Sequence, residues 1–320
     1  MPDLNSSNPS PPSAPILKRS AARVIRTWHM DSRRWDLYHP RSGDIVVATY
    51  PKCGTTWMQR IVSLLIFQSP EPRPISAMAP WIDARFLIPV KDDLARIEAQ
   101  DHRRSLKSHL PLDALPFYDA VSYIHVARDG LDAFMSWHNH SLRYKGNELL
   151  DAAGMADSTI GRPYPRVAAT PQEFFQDWMG VTGADRQSDV SAADFFDTEK
   201  SYWNARHEPN MLLVHYNNLS ADLDGEMRRI SNFLHIDVQE KIWPNLVNAA
   251  KFESMRRDGK ALLPNIDRRF VGGHEGFINS GQNERWREAL GSADIAHYRD
   301  RAARELEPEL AHWLQTGSSA

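Results

Sequence analysis

The sequence predicts one α/β domain, a parallel β-sheet flanked by helices and carrying a P-loop-like strand–loop–helix for phosphate. Three observations predict it. Four short apolar runs, Asp44–Tyr50, Ser105–His109, Tyr123–Ala127 and Met211–Tyr216, are β-branched or aromatic and bounded mostly by polar or turn residues. Segments of helical period follow several of them, and strands alternating with helices imply βαβ crossovers that cover both faces of a parallel sheet. The composition, 42% apolar and 25% charged over 320 residues, is that of an ordinary globular chain with material for a core.

Taken in order, residues 1–15 are rich in Pro, Ser and Asn and read as a disordered tail. They lack the basic start and apolar stretch of a secretory signal. Residues 16–320 then form the single domain. Thr55–Phe67 carries Met58, Ile61, Leu64 and Leu65 on one helical face, and Leu131–Arg143 follows the third strand. Gly146–Ser191 is broken repeatedly by Gly, Ala, Asp, Pro and Ser and reads as a lid or insertion. Inside it, Pro171–Met179 is expected as one short helix capped by Thr170. After the fourth strand, Leu223, Met227, Ile230 and Leu234 predict a helix over Ser220–Leu234 with Ser220 as its N-cap.

Charge and composition exclude several classes. The 38 basic and 41 acidic side chains give a net charge of −3, so there is no polybasic field for nucleic acid or an anionic membrane. The longest apolar runs, Ile45–Ala48 and Leu64–Phe67 among them, fall far short of the ~20 residues of a membrane span. One cysteine, Cys53, excludes an internal disulfide and a multi-cysteine metal cluster. The expectation is a cytoplasmic protein with no nucleic-acid or membrane partner and no metal.

Ligands of open parallel sheets bind beyond the carboxyl ends of the strands. The first strand runs through Tyr50-Pro-Lys-Cys-Gly-Thr-Thr-Trp57 straight into a helix. Gly54 frees the backbone to curl, so that the N–H groups of Gly54, Thr55 and Thr56 point at the helix start, where the dipole favours an anion. Lys52 adds a full positive charge and the two threonine hydroxyls add donors. The nucleotide-kinase pattern G-x-x-x-x-G-K-[ST] does not fit, because there is one glycine and the lysine precedes it. Arg128 and Ser136 straddle the turn from the third strand into its helix, where a guanidinium and a hydroxyl can meet one phosphate. His138-Asn-His140 has the look of a metal pair, but residues i and i+2 of a helix point to different sides and no third ligand is evident.

Tyr-Pro-Lys-x-Gly-Thr-Thr-Trp resembles the 5′-phosphosulfate loop of the cytosolic sulfotransferase family, which uses 3′-phosphoadenosine 5′-phosphosulfate as sulfuryl donor. Further segments are similar in the family's order. Lys107-Ser-His-Leu-Pro111 resembles the segment that supplies the catalytic histidine. Val126-Ala-Arg-Asp-Gly-Leu-Asp-Ala-Phe-Met-Ser136 resembles the 3′-phosphate motif, with Arg128 and Ser136 at the binding positions. Val214-His-Tyr-Asn-Asn-Leu219 resembles the stretch whose tyrosine, here Tyr216, approaches the adenine. Phe277–Arg287 resembles the C-terminal Arg-Lys-Gly…Trp-Lys segment and puts Asn279, Ser280 and Gly281 at the nucleotide, with Asn279 and Ser280 where the family has an Arg-Lys pair. Arg268, Arg269, Arg285 and Arg287 are the nearby candidates to replace those cations, and Arg268 or Arg269 is favoured because Gly272-Gly273 follows them.

The resemblance implies a catalytic trio of His109, Lys52 and Lys107, with Lys52, Cys53, Gly54, Thr55, Thr56 and Trp57 lining the donor. Sulfuryl transfer, like phosphoryl transfer, leans on positioning and electrostatics. His109 sits at a strand end as the general base, with an unperturbed imidazole near 6.5. Lys107 either holds the sulfonate oxygens or is a solvated neighbour, and Trp57 is either an adenine face or core. Cys53 suggests a nucleophile, but direct transfer needs no covalent intermediate and the family usually has Ser there. An ATP-dependent small-molecule kinase, with Asp129 as a magnesium-holding acid, and a non-catalytic nucleotide-binding regulatory protein are the competing readings. The acceptor is expected to be a small molecule with a hydroxyl, or an amine. Trp81, Phe86, Trp137 and Tyr144 line its pocket or belong to the core. The family's C-terminal dimer motif finds only Arg287-Glu-Ala-Leu-Gly-Ser-Ala-Asp294 without Thr-Val, so monomer and homodimer both stay open.

Overall fold

The computed structural model describes residues 14–27, 29–85, 90–145, 167–180 and 193–318. The first expected tail residues, 1–13, and most of the expected lid, 146–166 and 181–191, lie outside them. Four parallel strands, β2 (Ile45–Ala48), β3 (Ser105–Ser108), β5 (Ser122–Ala127) and β6 (Met211–His215), form a sheet in the order β3-β2-β5-β6. All four expected strands are present: three are trimmed by a residue or two at an end where the chain turns away, and β5 begins one residue earlier than expected, at Ser122. A small antiparallel pair, β1 (Leu17–Arg19) with β4 (Phe117–Tyr118), was not expected from the sequence.

Alternation along the strands explains why both faces are covered. Ile45 and Val47 face one side with Ile124, Val126 and Val214, against Met58, Ile61, Leu64 and Leu65 of helix α1 (Thr55–Phe67). Val46 and Ala48 face the other with Leu106, Tyr123 and Met211, against Trp35, Tyr38, Phe117 and Tyr202. At the amino ends of the strands, Arg104 clasps Asp44 through Nε to Oδ1 at 2.8 Å and Nη2 to Oδ2 at 2.5 Å, which closes the bottom of the sheet. The chain leaves β2 for β3 on one side and then returns to β5 on the other, so the loop after β2 sits where the strand order reverses.

Helix α4 (Gly130–Arg143) follows β5, and its N-cap Asp129 accepts from the N–H groups of Leu131 and Asp132. Between α1 and β3 the chain forms α2 (Ile75–Met78) and α3 (Val90–Glu98). The helix Pro171–Met179 forms as expected, with the Thr170 hydroxyl accepting from the N–H of Glu173. The expected helix Ser220–Leu234 does not form as one piece. Tyr216–Ala221 is a separate short helix, and Asp222 caps the next one, Leu223–Phe233, by accepting from the N–H of Gly225. Ser220 lies inside the first helix and donates to the carbonyl of Tyr216 at 3.0 Å, so its hydroxyl is spent on the preceding turn. Among the described residues no helix is long and apolar enough to cross a membrane.

Candidate active site

The carboxyl ends of β2, β3, β5 and β6 open into one cavity of about 830 Å³. Lys52, Gly54, Thr55, Thr56, Trp57, Lys107, His109, Arg128, Ser136, Tyr216, Asn279, Ser280 and Gly281 all line it. Residues that sequence reasoning drew from five separated segments are thus brought together by sheet topology.

The loop after β2 is shaped by two residues with positive φ, Lys52 at 71° and Gly54 at 110°. Left-handed backbone at a non-glycine such as Lys52 is uncommon and marks a constrained, functional turn. At Gly54 a Cβ would lie 3.2 Å from Cδ2 of Tyr216 and 3.4 Å from Cγ1 of Val126, so both conformation and space call for glycine. Gly54 caps α1 without a side chain, which leaves the first-turn N–H groups without a side-chain acceptor at the cavity wall.

Cys53 departs from its neighbours. Its N–H donates to the Tyr50 carbonyl at 3.3 Å, its thiol lies 4.0 Å from the Pro51 carbonyl, and it is fully buried away from the cavity. Burial, then the charge of Glu199, pushes the thiol's pKa well above the usual value, so it stays a neutral packing group rather than a nucleophile or donor contact. The loop curls Cys53 under itself, where Tyr50 accepts from Nε1 of Trp178 at 2.8 Å. We expect Cys53→Ser to keep turnover within a small factor of wild type, measured in a steady-state assay. An inactive but folded variant would restore a chemical role for the thiol.

His109 donates from Nδ1 to the carbonyl of Thr49 at 2.9 Å, because a carbonyl can only accept. Nε2 therefore carries the lone pair and, among the described residues, has no protein partner. The ring stands edge-on to Trp81 at 5.1 Å. Desolvation, then the Lys107 charge, pushes its pKa well below 6.5, which keeps the imidazole neutral and corrects the expectation of an unperturbed base. The Lys107 ammonium lies 4.3 Å above the Trp81 ring. Desolvation lowers its pKa to about 8, with Asp83 opposing and Arg269 adding to the shift.

Asp83, unnoticed in the sequence, organises this corner. Buried, it accepts from Ser108 Oγ at 2.6 Å and Trp35 Nε1 at 3.0 Å, and also from Trp81 Nε1. Those bonds fix the end of β3, one residue before His109, and the Trp81 indole under Lys107. No local signal marked Asp83, since two of its partners lie far away in the chain.

At the other side of the loop, Arg128 stacks 4.1 Å over the Tyr216 ring. Its Nε and Nη2 reach Asn283 Oδ1 at 3.1 and 2.5 Å, and Nη1 reaches the Lys52 carbonyl at 3.3 Å. Asn283 in turn donates to Asn217 at 2.7 Å, which ties the segment after β6, the phosphate loop and the C-terminal segment together. Trp57 is both cavity wall and packing, with its ring edge-on to Tyr216 at 5.4 Å and Nε1 donating to the Ala250 carbonyl at 2.8 Å. Of the four candidate replacement arginines, Arg269 and Arg285 line the cavity and Arg268 does not. Arg287 does not line it either and pairs with Glu284 at 2.7 Å. Asp129, the acid of the kinase reading, is spent as the α4 cap and does not line the cavity.

Trp81, Trp137 and Tyr144 line the cavity, while Phe86 lies outside the described residues. The two histidines of the dismissed metal pair do diverge. His138 donates from Nε2 to the Ala168 carbonyl at 3.0 Å, whereas His140 lines the cavity and accepts at Nδ1 from Lys52 at 3.1 Å.

Comparison with known proteins accords with this geometry. A glycolipid sulfotransferase of Mycobacterium tuberculosis (strain ATCC 25177 / H37Ra) is 32% identical over 308 residues, covering 92% of this chain and 94% of its own. Mus musculus sulfotransferase 1B1 is 24% identical over 73% of each chain. Among solved structures, retinol dehydratase in complex with androsterone and inactive cofactor PAP shares the fold with a TM-score of 0.67 at 20% identity, over 86% of this chain and 84% of that one. A mouse sulfotransferase complexed with PAP gives 0.65 at 17% identity, over 88% and 92%. The family model described as "Sulfotransferase domain" matches residues 42–308. With 32% identity to the mycobacterial enzyme and the family pattern running through most of its length, the chain belongs to the sulfotransferase family.

Proposed function

We propose that the protein transfers a sulfuryl group from 3′-phosphoadenosine 5′-phosphosulfate to a hydroxyl of a small molecule with a large apolar body. The observation that carries this reading is one cavity holding an uncapped helix start with Lys52 and a neutral histidine whose Nε2 is free. The uncapped first turn of α1 and Lys52 suit a 5′-phosphate, and Trp57 and Tyr216 offer aromatic surface beside it. Arg128, Ser136 and the Asn279–Gly281 stretch suit a 3′-phosphate.

The donor supplies the activated sulfuryl group, and the chain does the rest by placement. Nε2 of His109 takes the acceptor's hydroxyl proton as the oxygen–sulfur bond forms and the bond from sulfur to the 5′-phosphate oxygen breaks. Lys52 and the loop N–H groups offset the negative charge that builds on that leaving oxygen. Lys107, over Trp81, stands on the His109 side of the loop to hold the sulfuryl oxygens. The apolar lining, with Ile75, Pro80, Trp81, Met255, Leu263 and Phe270, favours an amphiphilic acceptor, in keeping with relatives named glycolipid sulfotransferases. Thermal stabilisation by adenosine 3′,5′-bisphosphate but not by ATP–Mg²⁺, followed by a sulfated product from a screen of phenols, aliphatic alcohols, sterols and glycosides, tests it. Stabilisation by ATP–Mg²⁺ with a phosphorylated product would overturn it.

The cation missing at Asn279 and Ser280 has a candidate. Arg285 lines the cavity beside the Asn279–Gln282 stretch, and its guanidinium has no protein partner among the described residues. Arg269 lies where its charge is felt at Lys107, on the sulfuryl side. We expect Arg285→Ala to weaken adenosine 3′,5′-bisphosphate about tenfold, ~1.4 kcal/mol, while leaving adenosine 5′-phosphate affinity unchanged. Arg268→Ala should alter neither. Calorimetric titration of both nucleotides checks this, and an equal loss for both would place Arg285 away from the 3′-phosphate.

A further inference from the structure

The helix position dismissed as half of a metal pair is the best-placed unassigned group in the cavity. Lys52 Nζ donates to His140 Nδ1 at 3.1 Å and lies 4.9 Å from the centre of the Phe277 ring. An ammonium has donors only, so Nδ1 holds the lone pair and Nε2 the proton. The imidazole is itself fixed, stacked on Trp137 at 5.3 Å and met edge-on by Phe270 at 4.6 Å. We propose that His140 is a positioning residue for the transfer: its Nδ1 lone pair holds the Lys52 ammonium beside the phosphate loop and favours the protonated form of that lysine. The proposal rests on the sulfuryl-transfer reading for its purpose, though not for its geometry.

The surroundings make such an acceptor necessary. Lys107 from β3 and Arg128 after β5 are both positive, and both disfavour a charged Lys52. Among the described residues no carboxylate pairs with Lys52. Desolvation first, then Lys107 and Arg128, lower its pKa to about 7, where half the lysine is neutral and unable to stabilise a leaving phosphate. A lone pair accepting from the ammonium favours the charged form. Desolvation, then the charges of Lys52, Lys107 and His109, keep His140 itself neutral well below pH 6.5, so the lone pair stays available.

The test is a carbon-13 NMR titration of labelled lysine in the ligand-free protein, with the Lys52 signal assigned from Lys52→Met. Wild-type Lys52 should titrate near neutrality. His140→Phe, which keeps a ring and loses the acceptor, should lower that midpoint by about one unit. His140→Gln, whose amide reaches the Nε2 rather than the Nδ1 position, should lower it too and stands in should the Phe variant not fold. His140→Asn, with an oxygen near the Nδ1 position, should restore it. The alkaline limb of kcat/KM for the donor should move in parallel. An unmoved Lys52 midpoint in both the Phe and Gln variants overturns the proposal. Normal shifts in a protein that binds no adenosine 3′,5′-bisphosphate uphold the pairing and overturn the donor reading alone.

Discussion

His109→Ala is expected to lower kcat by roughly 10²–10⁴ while leaving affinity for adenosine 3′,5′-bisphosphate unchanged. The Nδ1 bond to the Thr49 carbonyl orients the ring and selects the tautomer, so on the proposed reading the alanine variant loses a base that needs no rearrangement to act. Among the described residues no other histidine combines a strand-end position with an unpartnered ring nitrogen: His125 is tied to the Ala48 carbonyl and Glu199, and His215 to the Leu314 carbonyl and the Asn217 N–H. The pH dependence follows in sign. Since the folded protein pushes this imidazole well below 6.5, the neutral, active form persists as the solution is acidified, and the acid limb of kcat/KM should lie below 6.5. A variant with wild-type turnover would move the base elsewhere; a wild-type acid limb above 6.5 would contradict the desolvated setting of His109.

On the proposed reading, in which the Lys52 charge faces the 5′-phosphate before and during transfer, Lys52→Ala should damage nucleotide binding and turnover together. Losing one ionic donor at a partly desolvated phosphate costs about 1.5–3 kcal/mol in affinity. Turnover should fall further, because the charge on the leaving oxygen grows in the transition state. In the ligand-free protein the required ammonium is lost as pH rises through about 7, so donor capture should decline on the alkaline side. Isothermal titration with adenosine 3′,5′-bisphosphate together with single-turnover kinetics separates the two losses. An unchanged dissociation constant would show that Lys52 does not meet the nucleotide.

The parts of this molecule legible in the sequence are those governed by local pattern. Ile45–Ala48 is buried on both faces and so reads as an apolar run, and α1 is found to the residue because Gly54 starts it and its apolar face is unbroken. The donor loop was legible because phosphate binding uses consecutive backbone groups. What escaped depends on distant partners. The sequence sets His140 beside His138, whereas the contact that gives it meaning is to Lys52, 88 residues away. Asp83 matters through Trp35 and Ser108. Cys53 stood inside a binding motif yet faces inward, because the turn that exposes Gly54 must bury the residue before it. Ser220 and Asp222 are both good caps by type, and the helix start went to Asp222, beyond a short turn of helix already built on Tyr216.

The tie from Arg128 to Asn283 and to the Lys52 carbonyl has a consequence for the order in which the enzyme is built. The sheet is complete once His215 has been made, but the wall that carries Phe252, Phe277 and Gly281 is encoded later in the chain. During synthesis, where folding proceeds from the amino end, the strands and the phosphate loop can assemble first, with Lys52 and His109 still facing water. Only when Asn283 reaches Arg128 is the later-encoded wall of the cavity tied to the phosphate loop. The nascent protein therefore holds its chemical groups before it holds the wall that faces them, and competence arrives with the joining of a seam, well after the nucleus of the fold.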